Sequence, residues 1–244
     1  MPKSEPSVSP LVIFDLDGTL VETGPDLVAS LNHSIATIGL APFEMEDVGH
    51  LVGQGARTMI LRALDERGIG PSEDVVSALL ASFLSYYEAT MPGRSAPYPG
   101  LLQALDALTA EGMKLAVCTN KSETLARRLL EELDIARRFA AVTGGDTFPV
   151  RKPDPAHILG TIERAGADRD NCVMIGDSIN DILAASGAGV GSVAVSFGYS
   201  DRPAAELGAS VLIDRYEQLT PALVRELISR TAMQKARNGG RDRD

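Results

Sequence analysis

The chain has no tryptophan, draws only 5% of its length from aromatic residues, and carries two cysteines and three histidines in 244 residues. Each scarcity closes off a class of protein. Cys118 and Cys172 lie in the apolar runs KLAVC and NCVMI. Small buried hydrophobes belong there, so both are read as reduced core residues, and neither a disulfide framework nor a thiolate metal site is expected. His33, His50 and His157 share no ligand spacing, which argues against a histidine-based metal centre. No apolar run reaches the length that spans a bilayer, and MPKSEPSVSP lacks the apolar segment of a secretory leader. Cytoplasmic residence is the expectation. Basic residues are in the minority: 23 Lys and Arg against 33 Asp and Glu give a formal charge of −10. Neither nucleic acid nor a membrane is therefore expected as a partner.

What the chain does have is enough apolar character, 44%, to bury a substantial core. Short β-rich runs recur as LVIF (11–14), KLAVC (114–118), AAVTG (140–144), CVMIG (172–176), SVAVSF (192–197) and SVLI (210–213). From residue 100 they alternate with amphipathic helical patterns. Continuous rather than alternating apolar strands, separated by helices, signal a parallel sheet covered on both faces. The expected fold is α/β, a doubly wound parallel sheet. About a hundred residues separate the first strand from the second, far more than one crossover helix needs. Helical patterns fill that interval at PDLVASLNHSIATIGL, GARTMILRALDERG and SEDVVSALLASFLSYYEAT, and nothing in it reads convincingly as a strand. The layout predicted is an α/β core of residues 10–20 and 95–230, a helical cap at 21–94, and loose tails at 1–9 and 231–244, where Pro, Ser, Gly and alternating charge dominate.

The stretch LVIFDLDGTLVETG poses a chemical problem, because an apolar strand that ends in Asp15 and Asp17 sets two carboxylates close together. Charges that close need a cation, a shared proton or open solvent. Ligands of open parallel sheets bind outside the carboxyl ends of the strands, and each predicted strand end delivers polar groups there. The second brings Thr119 and Asn120, the third Gly144-Gly145-Asp146, and the fourth Asp177 and Ser178 with Asp181 four residues after Asp177. Lys152 stands in RKPDP, kept out of a helix by the proline that follows it. Asp154 and Pro155 read as an N-cap and first helical position. Carboxylates, a hydroxyl and an ammonium at one sheet edge suit phosphoryl transfer through a covalent carboxylate. Mg²⁺ would neutralise the acids, Asp15 would attack, Asp17 would move the proton, Thr119 and Lys152 would hold phosphoryl oxygens, and Asp177 and Asp181 would hold the metal.

DLDGT, the strand ending in Thr119, Lys152 before Pro153, and GDSIND, in that order, resemble the four motifs of the haloacid dehalogenase superfamily. The resemblance spans nearly the whole chain between its tails. It implies Asp15 as nucleophile and Asp17 as general acid/base, with the backbone carbonyl of Asp17 joining Asp15, Asp177 and Asp181 around Mg²⁺. Dehalogenases lack the second aspartate of the first motif, so Asp17 points to a phosphatase. VGQGART and DGTLVETGPDL are similar to the phosphoglycolate phosphatase branch, which implies a small phosphorylated organic acid, 2-phosphoglycolate, as substrate. Gly53-Gln54-Gly55 before a helix would offer backbone N–H groups to an anion, with Arg57 nearby for its carboxylate. Asn120 is counted with Thr119 and Lys152 among the substrate-binding residues. Glu22-Thr23 departs from the Asp-Ser common after DGTLV in that branch.

Rival readings differ in specific ways. A phospho-accepting receiver would carry its acceptor on a later strand and no hundred-residue insertion, and a silent binding module would most simply have lost Asp15 or Asp17. A pyrophosphatase, a sugar phosphatase or a phosphomutase would share the core residues and differ in the cap. Oligomeric state is left open between monomer and homodimer.

Overall fold

The computed structural model describes residues 9–45, 51–52, 55–200 and 202–239. Its centre is a six-stranded parallel sheet in the order β5-β4-β1-β6-β7-β8. The strands are β1 (Leu11–Phe14), β4 (Lys114–Cys118), β5 (Ala141–Thr143), β6 (Cys172–Gly176), β7 (Gly191–Val195) and β8 (Val211–Ile213). β1 sits between β4 and β6, with Leu11 opposite both Lys114 and Cys172. Chain order reverses at β1, which makes its carboxyl end the switch point where such sheets bind ligands.

Side chains alternate across the sheet, and the core divides accordingly. Val12, Phe14, Leu115, Val117, Val173, Ile175, Val193 and Val195 face one side. They pack there with Leu101, Leu105 and Leu108 of α4 (Leu101–Ala110), Leu129 and Leu130 of α5 (Glu123–Glu132), and Val224 and Leu227 of α8 (Pro221–Gly239). Leu11, Ile13, Ala116, Cys118, Cys172 and Met174 face the other side. Their partners are Ile158 and Ile162 of α6 (Pro155–Arg164) and Ala184, Ala185 and Ala188 of α7 (Ile179–Ala188). Both cysteines are free and buried in this second layer, and burial pushes their thiols up to about 11 and about 12. No helix among the described residues is long and apolar enough to cross a membrane.

Between β1 and β4 the chain runs through α1 (Gly24–Ala36), α2 (Ala56–Glu66) and α3 (Glu73–Thr90), with α3 packed against both others. Pro25 opens α1, and the Ser72 hydroxyl accepts from Val75 N–H to cap α3. The sequence showed no strand in this interval, yet two-residue strands do form: β2 (Val21–Glu22) pairs antiparallel with β3 (Ala96–Pro97) where the chain leaves and rejoins the sheet. Two residues are too few for any periodicity to register. Asp26 fastens the same junction, since its carboxylate accepts from Arg94 N–H, Ser95 N–H and the Ser95 hydroxyl.

The expected loose tail from residue 231 is corrected, because α8 continues to Gly239. Thr231 bonds back to the Leu227 carbonyl at 2.9 Å and lies against Gly191, while Lys235 pairs with Asp170. The tail's composition is polar, but its first turns have a packed surface to lie on. Residues 1–8 and 240–244 lie outside the described residues.

Candidate active site

At the carboxyl end of β1 the chain turns through Gly18 at φ +80°, and the residues on each side are committed to the site. Asp15 is 3% exposed and Asp17 8%. Lys152, buried at 2%, places its ammonium 2.9 Å from Asp15 Oδ1 and 2.6 Å from Asp181 Oδ1. The contact with Asp181 has hydrogen-bond geometry, whereas that with Asp15 Oδ1 is an ion pair only. Asp177 is fully buried: Oδ1 accepts from the Thr19 hydroxyl at 3.1 Å and Oδ2 from Tyr199 N–H at 2.6 Å. Asp181 is the third residue of α7, and its Oδ2 accepts from Ser178 N–H and the Ser178 hydroxyl. Capping and site duties are thus divided between its two oxygens.

Asp15, Asp177 and Asp181 each offer an oxygen within 4.8 Å of the others. Three buried carboxylates cluster beside one lysine, which touches Asp15 and Asp181, and the imbalance shows in the proton affinities of Asp15 and Asp177. Burial pushes the Asp15 carboxyl up to about 7, against the pull of Lys152, with the charges of Asp181 and Asp17 adding to the rise. Burial, then Asp15 and Asp181, hold Asp177 well above the usual carboxylate range. For Lys152 burial works the other way, but Asp15 and Asp181 outweigh it and keep the ammonium charged. A hard divalent cation fits this donor set, which is all oxygen, buried and short of positive charge.

Thr119, 1% exposed, directly follows β4 and accepts from Lys121 N–H at 3.2 Å. Asn120 donates to the Lys152 carbonyl at 3.0 Å, tying the second strand end to the lysine loop, while its buried Oδ1 has no partner. The imidazole of His157 accepts from Lys152 N–H at 3.3 Å. Burial and the Lys152 charge hold that imidazole down at about 4, so it is neutral near pH 7. Asp154 caps α6 as its sequence position implied, and Asp146 caps α5 by accepting from Glu123 N–H.

Several site residues were missed at the sequence level. Lys121 is 8% exposed, lies 3.0 Å from Asp17 Oδ1, and sits 4.4 Å from the ring centroid of Tyr87 on α3. Asp17 and Tyr87 keep its ammonium charged in spite of burial. The available signal was a basic residue directly after Thr119-Asn120 at a strand end. Thr19, Tyr199 and Arg151 were missed as well, the first two because backbone and hydroxyl donors leave no motif.

A cavity of about 180 Å³ opens over these groups, between α1, α2 and α3 and the sheet edge. Asp17, Asn120, Lys121, Ser122 and Arg151 line it from below, and Leu27, Met59, Phe83 and Tyr87 are among the side chains that face it from above. Gly55 reaches it too, held at φ +88° before α2 and near the Asn120 carbonyl and the Arg151 guanidinium. Gly53 and Gln54 lie outside the described residues. Arg57 borders the cavity but is half exposed, and its guanidinium bonds both carboxylate oxygens of Glu73 at 2.9 and 2.7 Å.

A doubly wound sheet with buried carboxylates and a lysine at its switch point, under inserted helices, defines an enzyme of the acidic phosphoryl-transfer kind. Residues 12–195 match the family described as haloacid dehalogenase-like hydrolase. A phosphoglycolate phosphatase of Agrobacterium fabrum is 57% identical over 92% of this chain and 97% of its own, and one of Mesorhizobium japonicum is 44% identical over 90% and 96%. The crystal structure of a predicted phosphoglycolate phosphatase from Haemophilus somnus superposes with TM-score 0.81 at 31% identity, covering 86% of this chain and 96% of that one. The chain belongs to the haloacid dehalogenase-like hydrolases, as a phosphatase.

Proposed function

We propose that this phosphatase hydrolyses 2-phosphoglycolate to glycolate and phosphate, with residues 21–94 as a cap over a catalytic core of residues 10–20 and 95–230. The observation that carries it is Asp15, a buried carboxylate held by Lys152 at the switch point, directly under the helical insertion. The identity and coverage of the phosphoglycolate phosphatases above support the choice of substrate.

An oxygen of Asp15 attacks phosphorus as the ester bond to the glycolate oxygen breaks. Asp17 delivers a proton to that leaving oxygen, then takes one from the water that splits the aspartyl-phosphate, returning Asp15 to its starting state. Lys152 and Thr119 hold phosphoryl oxygens while charge builds on them, and Asn120 keeps the lysine loop in register through its bond to the Lys152 carbonyl. Asp15, Asp177 and Asp181, with the Asp17 backbone carbonyl, would hold Mg²⁺. That ion, when bound, neutralises charge between the acids and the phosphoryl group. The Asp17 carboxylate is free of metal duty because it faces Lys121. Gly55 and Arg57 border the cavity on the side of the proposed cap, and closure of that cap excludes bulk water during the first step.

Phosphate release from small phosphate esters, with and without Mg²⁺ and beside Asp15→Asn, tests this reading. Release that needs metal and Asp15 and favours 2-phosphoglycolate is expected. A different preferred ester would remove the substrate assignment, and turnover surviving Asp15→Asn would remove the mechanism.

A further inference from the structure

Among the described residues, the cavity above the site is lined by three cationic side chains, Arg57, Lys121 and Arg151, and by one acid, Asp17. Two of those cations are already matched: Arg57 by Glu73 and Lys121 by Asp17. Arg151, the residue before Lys152, makes no side-chain hydrogen bond or ion pair among the described residues and leaves its exposed guanidinium at the cavity. Its neighbour Lys152 is buried against Asp15. Consecutive residues of one loop thus serve the reacting centre and the space beyond it. Much of the remaining wall is apolar, as at Leu27, Met59 and Phe83, so a second charge on a bound ester has few groups to meet.

We infer that Arg151 is the specificity-determining residue that reads the substrate's carboxylate, in place of the Arg57 suggested by the sequence. The inference rests on the proposed substrate, a phosphate ester with a carboxylate one carbon from its ester oxygen. A planar guanidinium can grip that carboxylate with two parallel N–H bonds.

The test compares 2-phosphoglycolate with ethyl phosphate, in which a methyl group replaces the carboxylate, on the parent, Arg151→Met and Arg151→Lys. The parent is expected to prefer 2-phosphoglycolate. Arg151→Met is expected to raise KM for that ester by about tenfold to a hundredfold, the scale of a lost charged hydrogen bond, with kcat/KM for ethyl phosphate held within about twofold. Arg151→Lys, keeping the charge without the fork, is expected to recover part of the loss. A parent that prefers 2-phosphoglycolate beside an Arg151→Met variant that keeps the preference overturns the inference and leaves the proposed function standing. An equal loss on both esters overturns it too, by assigning Arg151 to the phosphate or to the fold. A parent without preference removes the substrate reading and this inference together.

Discussion

At the residue scale the site is held in electrostatic tension. An ordinary aspartate stabilises a fold above its unfolded pKa; Asp15 and Asp177 do the reverse, because both are raised in the folded chain. For Asp15 the favourable contribution is complete below the unfolded value of 3.8 and is lost as pH climbs toward about 7. His157 works in the opposite sense. Held down at about 4 from 6.5, it contributes stability above 6.5 that disappears as pH falls between those values. Comparing variants isolates the acids. In chelator, Asp177→Asn should melt several degrees above the parent at pH 8, since about 1 kcal/mol moves the midpoint of a chain this size by about 2–4 °C. The gap should narrow as pH falls toward the unfolded value of 3.8. The amide can still accept from Tyr199 N–H while its NH₂ meets the Thr19 oxygen, so little is lost in bonding. A variant that melts below the parent at pH 8 would show that these acids do not strain the metal-free fold. The motif acids and Lys152 were legible in the sequence because chemistry fixes their types. Lys121 was not, because a lysine after Thr-Asn is equally ordinary on a surface, and only the fold brings Asp17 and Tyr87 around it.

At the element scale the site depends on how β1 ends. Gly18 takes a left-handed φ of +80°, and a Cβ there would sit 2.3 Å from Asp177 Oδ2 and 2.7 Å from the Tyr199 ring. Gly39 has a similar φ of +76° with nothing within 4 Å. Alanine at Gly39 should cost about 1 kcal/mol or a little more, from backbone strain alone. Alanine at Gly18 should cost clearly more in denaturant midpoint and should also depress turnover by displacing Asp177. Equal costs at the two positions would mean that the turn yields without disturbing the carboxylate. The strands and long helices were legible because their periodicities run for several residues, as in KLAVC and EDVVSALLASFLSYYEAT. The β2–β3 pair was not, having two residues per strand, nor was the last part of α8, whose polar composition hid a surface of contact with β7 and Asp170.

At the scale of the whole molecule, a sheet buried on both faces fixes the strand ends, and the long excursion after β1 carries three helices back over them. The cavity forms where those two parts meet. Its sheet-edge wall supplies Asp17, Asn120, Lys121 and Arg151, while among the described residues the wall formed by the insertion is apolar apart from Arg57 and Tyr87, whose ring centroid lies 4.4 Å from the Lys121 ammonium. On the proposed division, chemistry on the core and closure by the cap would let one sheet edge serve different esters when the cap changes. The central claim is that phosphate passes through Asp15. Enzyme turning over 2-phosphoglycolate with Mg²⁺ should be quenched in acid, reduced with borohydride and read by peptide mass spectrometry. An aspartyl-phosphate at Asp15 predicts conversion of that residue to homoserine, absent without substrate. Steady phosphate release with Asp15 unmodified and no phosphorylated intermediate on the chain would contradict the account.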